Sequence, residues 1–276
     1  MAVFDYLKCA DLAEAGKMLL EEERIQPLAG GTDLMVGIRG GKFKVRAVLD
    51  LKNIAALKVL SEDEAGITIG AGVPLNDIVN FKPVREHLPI LAEACHSIGT
   101  YSIRNRGTLA GNICNASPAA DTAAPLYCLG ALVNIAGPRE RRSVPIEEFF
   151  TGPGQTALKK GELVVTVLIP KPYPTGKGIY LKASRTGSVD LATVGVAVQS
   201  YGNEVRIALG AVAPTPVRAK SVEKAVNIDG VKDWAQAAQL VHADISPITD
   251  LRGSREYRYH IAEVLIRRGL EQTMEV

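Results

Sequence analysis

Two short glycine-rich runs hold the residues best suited to grip a ligand. "LAGGTDL", from Leu28 through Ala29, Gly30, Gly31, Thr32 and Asp33 to Leu34, and "TLAGN", Thr108 to Asn112, each set small residues beside a hydroxyl. Gly30 and Gly31 can adopt positive φ and let ligand atoms reach the main chain. Successive N–H groups in such a turn converge on an anion, and a helix that follows adds its positive end. Thr32 and Thr108 supply hydroxyls, Ala110 and Gly111 add little bulk, and Asn112 adds an amide. Taken singly, each run also reads as a glycine turn before a capped helix. Together they could hold both sides of one pyrophosphate, because main-chain dipoles can carry its charge without lysine.

The stretch "TLAGNICNASPAADTAAPLY", Thr108 to Tyr127, is small, polar and free of Lys and Arg. Such a wall suits a ligand that the backbone itself must touch. Its one acid is Asp121. A carboxylate repels phosphate but accepts hydrogen bonds well from a ribose diol. Asp121 could equally cap a helix that begins at "TAAPLY", and both roles could hold.

Other runs imitate nucleotide or catalytic motifs and fail. "GPGQTA", Gly152 to Ala157, fits the loose dinucleotide spacing, but Pro153 interrupts it and a strand is predicted where a helix is required. "GAGVPL" lacks its third small residue, and "PTGKG" has no Ser or Thr after the lysine. No nucleophile elbow or triad spacing is visible, so no catalytic residue is assigned. Cys9, Cys95, Cys114 and Cys128 are scattered without a CxxC pair, and the four histidines lack i, i+4 pairing. That pattern predicts reduced, buried thiols and no metal site.

The elements that must position these runs alternate in the first third of the chain. "DLAEAGKMLLEE" predicts a helix, "RIQPL" a strand running into the glycines, and "TDLMVGI" a helix capped by Thr32 or Asp33. "FKVRAVLDL" and "GITIGAG" predict strands, the second followed by a helix with Pro74 in its first turn. "HLPILAEACHSIG" and "DTAAPLYCLGA" predict helices; "ALVNIAG" and "GELVVTVLIP" predict strands. The proline- and glycine-rich run Pro170 to Gly178 predicts a domain boundary. Beyond it, three strands, with a hairpin turn at "YGNE", and three helices predict an α+β domain.

With 276 residues, one or two domains are expected. The net charge of +2 gives no electrostatic case for nucleic acid or an anionic membrane, and 5% aromatics argues against base stacking. The N-terminal run has an acid at Asp5 and no apolar core, so it does not read as a secretory signal; no segment reaches membrane-spanning length. A cytoplasmic protein is expected.

"AGGTDL", "IRNRGTLAGNICNASPAAD", "TGPG", "GELVVTVLIP", "YLKASR", "VDLATVGVAV" and "GAVAPTPVRA" occur in order along nearly the whole chain. As a set they resemble the FAD-binding medium subunit of the xanthine dehydrogenase and carbon monoxide dehydrogenase family of molybdenum hydroxylases. The resemblance implies an α+β fold: residues 1–172 as a two-part α/β FAD-binding domain of PCMH/VAO-like type, not Rossmann, divided near residue 55, and 176–276 as a C-terminal α+β domain with a three-stranded antiparallel sheet. It places the FAD pyrophosphate against both glycine loops and makes Asp121 the ribose acid. It sets Ile98, Val164 and Lys182 beside the flavin. Without it, Ile98 and Val164 read as core and Lys182 as a solvated strand lysine. With it, Lys182 could stabilise charge on reduced flavin.

The resemblance further implies partners: a molybdenum-cofactor large subunit and a [2Fe–2S] small subunit in a dimer of heterotrimers, with NAD+, a ferredoxin or oxygen as the electron acceptor. Four scattered cysteines agree, since two clusters need eight thiolates. The blocks "TGPG" and "APTPVR" lean toward xanthine dehydrogenase. A carbon monoxide or nicotinate dehydrogenase medium subunit, or a self-contained flavin oxidoreductase, is the alternative.

Overall fold

The computed structural model describes residues 3–187 and 189–274. Its first sheet is parallel, built from β1 (Asp5–Lys8), β2 (Ile25–Leu28) and β3 (Ala47–Asp50) in the order β1-β3-β2. Parallel neighbours need crossovers, and helices Leu12–Glu21 and Leu34–Arg39 supply them. The first starts where Asp11 accepts the Glu14 N–H at 2.9 Å. All four residues of central β3 are buried, as a strand covered on both faces requires. β2 therefore delivers its glycine turn beside the buried end of β3.

A five-stranded antiparallel sheet follows. β4 (Leu60–Glu62), β5 (Gly66–Gly70), β6 (Leu132–Ala136) and β7 (Arg141–Pro145) lead to a small hairpin, β8 (Phe150–Gly152) with β9 (Gln155–Thr156). β10 (Leu163–Pro170) then completes the order β4-β5-β10-β6-β7. The hairpin is the structure of "GPGQTA": Gly154 turns at φ +69° and a strand follows, so no dinucleotide helix forms there. Between β5 and β6 run the short helices that carry most of the site, including Pro89–His96, Tyr101–Arg104, Leu109–Cys114 and Ala123–Cys128.

The last sheet holds β11 (Gly178–Ala183), β12 (Val194–Tyr201), β13 (Glu204–Gly210) and β14 (Val217–Arg218), antiparallel in chain order. The sequence predicts three strands here. The fourth has two residues behind Pro216, too few for a pattern, and exists through its pairing with Ala208 and Leu209. β12 is buried on both faces. Val194, Val196 and Val198 enter a core with Trp234, Ile266 and Leu270, closed by the Arg255–Met274 helix. Ala197 and Ala208 enter the larger core of the N-terminal part. Their small side chains let the Ala123–Cys128 helix lie directly on the sheet. The C-terminal strands thus roof the wall that precedes Tyr127.

Three capping expectations differ from the structure. Pro74 sits at the N-cap position of Leu75–Asn80, not inside its first turn. Asp33 precedes Leu34–Arg39 but is already helical (φ −92°, ψ −44°), and its side chain accepts no cap bond. Asp121 does not cap Ala123–Cys128; Thr122 occupies the N-cap position, and the acid is engaged elsewhere. Among the described residues no helix is long and apolar enough to cross a membrane, and no group of three or more His, Cys, Asp or Glu could hold a metal.

Candidate functional site

The two glycine turns are packed against each other. A Cβ built on Gly30 would lie 1.9 Å from the Arg106 carbonyl oxygen and 2.9 Å from Gly107 Cα. A Cβ on Gly107 would in turn lie 3.6 Å from Thr32 Oγ1. Gly30 is thus required for space, because its φ is not left-handed; Gly31, at φ +76°, is the one required for conformation. Leu28 is buried with Ile38 and Val48, and Leu34 packs beside them. These two leucines anchor the turn through its flanks, while Ala29, Gly30, Gly31 and Thr32 stay partly exposed.

This junction fits a diphosphate. Among the described residues no acceptor takes the N–H groups of Gly30, Gly31, Thr32 or Asp33, four in succession at one turn. Such groups ordinarily find a partner, so a partly covered run of them forms an anion seat. Across the junction Ala110 N–H is likewise unpaired, while Thr108 Oγ1 accepts the Gly111 N–H at 2.9 Å. The Thr108 hydroxyl proton stays available for donation. Both following helices have only six residues, so local N–H groups, not a long helix dipole, make the seat positive. Asp33, at the rim, is exposed.

A chain of contacts leads from the seat to the second group. Asn112 Oδ1 accepts the Thr122 hydroxyl at 2.6 Å, which fixes the neighbouring Asp121. Asp121 Oδ1 accepts from Tyr180 Oη at 2.7 Å, and Oδ2 from Lys182 Nζ at 3.1 Å. The Lys182 and Asp121 side chains are 8% and 7% exposed. Burial pushes the Asp121 carboxyl up, opposed by the Lys182 charge and the two hydrogen bonds. Burial and the adjacent carboxylate push the Tyr180 phenol well above its ordinary value, so it acts as a donor. Lys182 Nζ also donates to Ser97 O at 3.2 Å, which brings Ile98, half-buried, into the same group. Lys182 is therefore not a solvated strand lysine.

Val164 stands apart. Its side chain is buried in the main core, opposite Ile135, where the ladder slips between Val164 and Thr166. Its link to the seat runs through the backbone: Ala71 N–H donates to Val165 O at 2.9 Å, and Leu75 N–H to Gly107 O at 2.9 Å.

Tyr180, Arg104 and the Arg106–Gly107 backbone join the site from outside the residues that the sequence motifs mark. Tyr180 had a signal: residues i and i+2 of a strand share a face, so it must lie beside Lys182. Arg104 had none, because its partners are backbone carbonyls and a neutral amide.

Comparison with known proteins finds matches along nearly the whole chain. The family model for the FAD binding domain in molybdopterin dehydrogenase matches residues 2–172. The model for the CO dehydrogenase flavoprotein C-terminal domain matches residues 179–273. The glyceraldehyde dehydrogenase medium chain of Sulfolobus acidocaldarius is 34% identical over 278 residues, covering 98% of each chain. The xanthine dehydrogenase FAD-binding subunit of Escherichia coli is 31% identical over 278 residues, covering 98% of this chain and 95% of its own. In the reconstituted CO dehydrogenase from Oligotropha carboxidovorans, one chain superposes with a TM-score of 0.90 at 31% identity. That match covers 98% of this chain and 96% of the other.

Proposed function

This chain belongs to the family of FAD-binding subunits of molybdenum hydroxylases, and from that premise we propose that it is the electron-transfer subunit of a xanthine dehydrogenase-type complex. FAD, when bound, supplies the redox chemistry; the protein supplies binding, orientation and electrostatics. The observation that carries the reading is the seat at Gly30: four successive N–H groups without an acceptor among the described residues, pressed against the turn that opens the second loop.

In this reading the N–H groups of Gly30 to Asp33 and Ala110, with the Thr32 and Thr108 hydroxyls, hold the pyrophosphate. Leu28 and Leu34 fix the first turn from the core; Ala29 and Gly111 leave room for the nucleotide. Asn112 and Thr122 hold the Asp121 segment in place, and Asp121 turns its remaining lone pairs to the ribose. Ile98 and Lys182 border the flavin, and Val164, its side chain in the core, adjoins it through the backbone of its strand. Electrons arrive from [2Fe–2S] clusters of a small subunit: the four cysteines of this chain are free thiols, fewer than the eight that two clusters need, and among the described residues no group of three or more His, Cys, Asp or Glu could hold a metal. A molybdenum-cofactor large subunit performs the substrate chemistry, and NAD+ accepts the electrons, in a cytoplasmic dimer of heterotrimers. The blocks Thr151–Gly154 and Ala213–Arg218 support the xanthine dehydrogenase type.

Affinity purification of the chain from its native cell, with metal analysis, tests this. Two partner polypeptides, molybdenum and iron should accompany it, and the complex should reduce NAD+ with a purine. A chain recovered alone that turns over an organic substrate by itself would make it a self-contained flavin enzyme instead.

A further inference from the structure

Three successive carbonyls of the turn after Pro89–His96 are occupied by two buried cations. Lys182 Nζ donates to Ser97 O at 3.2 Å; Arg104 Nη1 donates to Ile98 O and to Gly99 O, each at 3.1 Å. The two cations differ in what balances them. Lys182 faces the Asp121 carboxylate at 3.1 Å, and that pair is neutral overall.

Arg104 is 7% exposed, yet among the described residues no carboxylate lies within ion-pair distance of it. Its Nε donates to Asn76 Oδ1 at 3.0 Å, and Asn76 is neutral, spending its own amide on Tyr101 O and Asn105 Oδ1. Arg258, the other buried arginine, has Asp250 at 2.6 Å. Carbonyl oxygens solvate a guanidinium without cancelling its charge. A buried charge left unbalanced is costly, and an anion brought beside it offsets that cost.

The remaining nitrogen, Nη2, marks where such an anion would come. No hydrogen bond from it is found among the described residues. It is not an enclosed orphan either; among the described residues those are Tyr173 Oη and Arg258 Nε. Nη2 therefore keeps some solvent access, although Arg104 as a whole is buried.

We propose that Arg104, not Lys182, supplies the unbalanced positive charge that stabilises reduced flavin at the Ile98 turn. The inference rests on the FAD reading above. Oxidised flavin that takes up two electrons and one proton carries one negative charge on its ring; a second proton would neutralise it. The field of Arg104 favours the one-proton product. Lys182, cancelled by Asp121, contributes position more than charge.

The test is a redox titration of the full chain loaded with FAD, using dithionite against reference dyes at several pH values. One proton per two electrons predicts a midpoint potential that falls about 30 mV per pH unit between about pH 6 and about pH 8. Two protons would double that slope. Arg104→Gln should weaken binding of reduced relative to oxidised FAD at least about tenfold, a drop of about 30 mV at fixed pH. Arg104→Lys, which keeps the charge but loses the fork across two carbonyls, should recover most of that drop. Equal drops in both variants would mean that turn geometry alone matters, and would overturn the proposal. If Arg104→Gln does not fold, the slope of the unsubstituted chain decides. Retained flavin with a two-proton slope overturns this proposal and leaves the FAD reading standing; a chain that holds no flavin overturns both.

Discussion

Gly30→Ala is expected to abolish FAD retention and to destabilise the chain by about 3 kcal/mol, the upper end of overpacking costs. The added Cβ would meet the Arg106 carbonyl oxygen at 1.9 Å and the carbonyl carbon at 2.6 Å. Both are backbone atoms, so no rotamer change relieves the contact, and the two turns must move apart. A seat whose halves separate loses the convergence that makes it bind. Gly111→Val separates binding from folding. Its Cβ would meet Thr108 Oγ1 alone, at 2.9 Å, on an exposed position. That variant should keep its unfolding midpoint within a few degrees and still lose FAD. Thermal melts with flavin absorbance after gel filtration read both effects. Full flavin content in Gly30→Ala would remove the junction from the site.

Lys182→Met is expected to cost about 3 kcal/mol near neutral pH, because it strands a buried carboxylate. Asp121 would keep Tyr180 as its donor but lose its countercharge. The pH dependence has a definite sign. The folded Asp121 carboxyl already lies above its ordinary value through burial, and loss of Lys182 raises it further. Such a group stabilises the fold fully below its unfolded value, and the stability is lost as pH rises through the folded value. The deficit of Lys182→Met against the unsubstituted chain should therefore shrink as pH falls. Asp121→Asn in the same background should restore most of the stability at neutral pH. Denaturant unfolding across the acid-to-neutral range measures this; a pH-independent deficit would mean that the lost lysine stem matters and the charge does not.

These expectations show where sequence speaks and where it falls silent. The glycine turns were legible because their cause is local: Gly31 must reach φ +76°, and no neighbour needed to be known. The strand of Val194, Val196 and Val198 is legible from its β-branched run, although its burial on both faces leaves no period-two pattern of exposure. That Gly30 abuts Arg106 was not, since a close approach leaves no mark beyond the absence of a side chain. The neighbours of Asp121 suggest a cap or a ribose acid, whereas its protein partners lie 59 and 61 residues away. Arg104 stayed hidden because carbonyl acceptors carry no side-chain pattern. β14 stayed hidden because two residues make no period.

The most direct measurement is a crystal structure of the chain grown with FAD. Diphosphate oxygens should lie within hydrogen-bond distance of the N–H groups of Gly30 to Asp33 on one side and of Ala110 on the other. A diphosphate held by a single turn, or seated away from both, would contradict the two-turn seat.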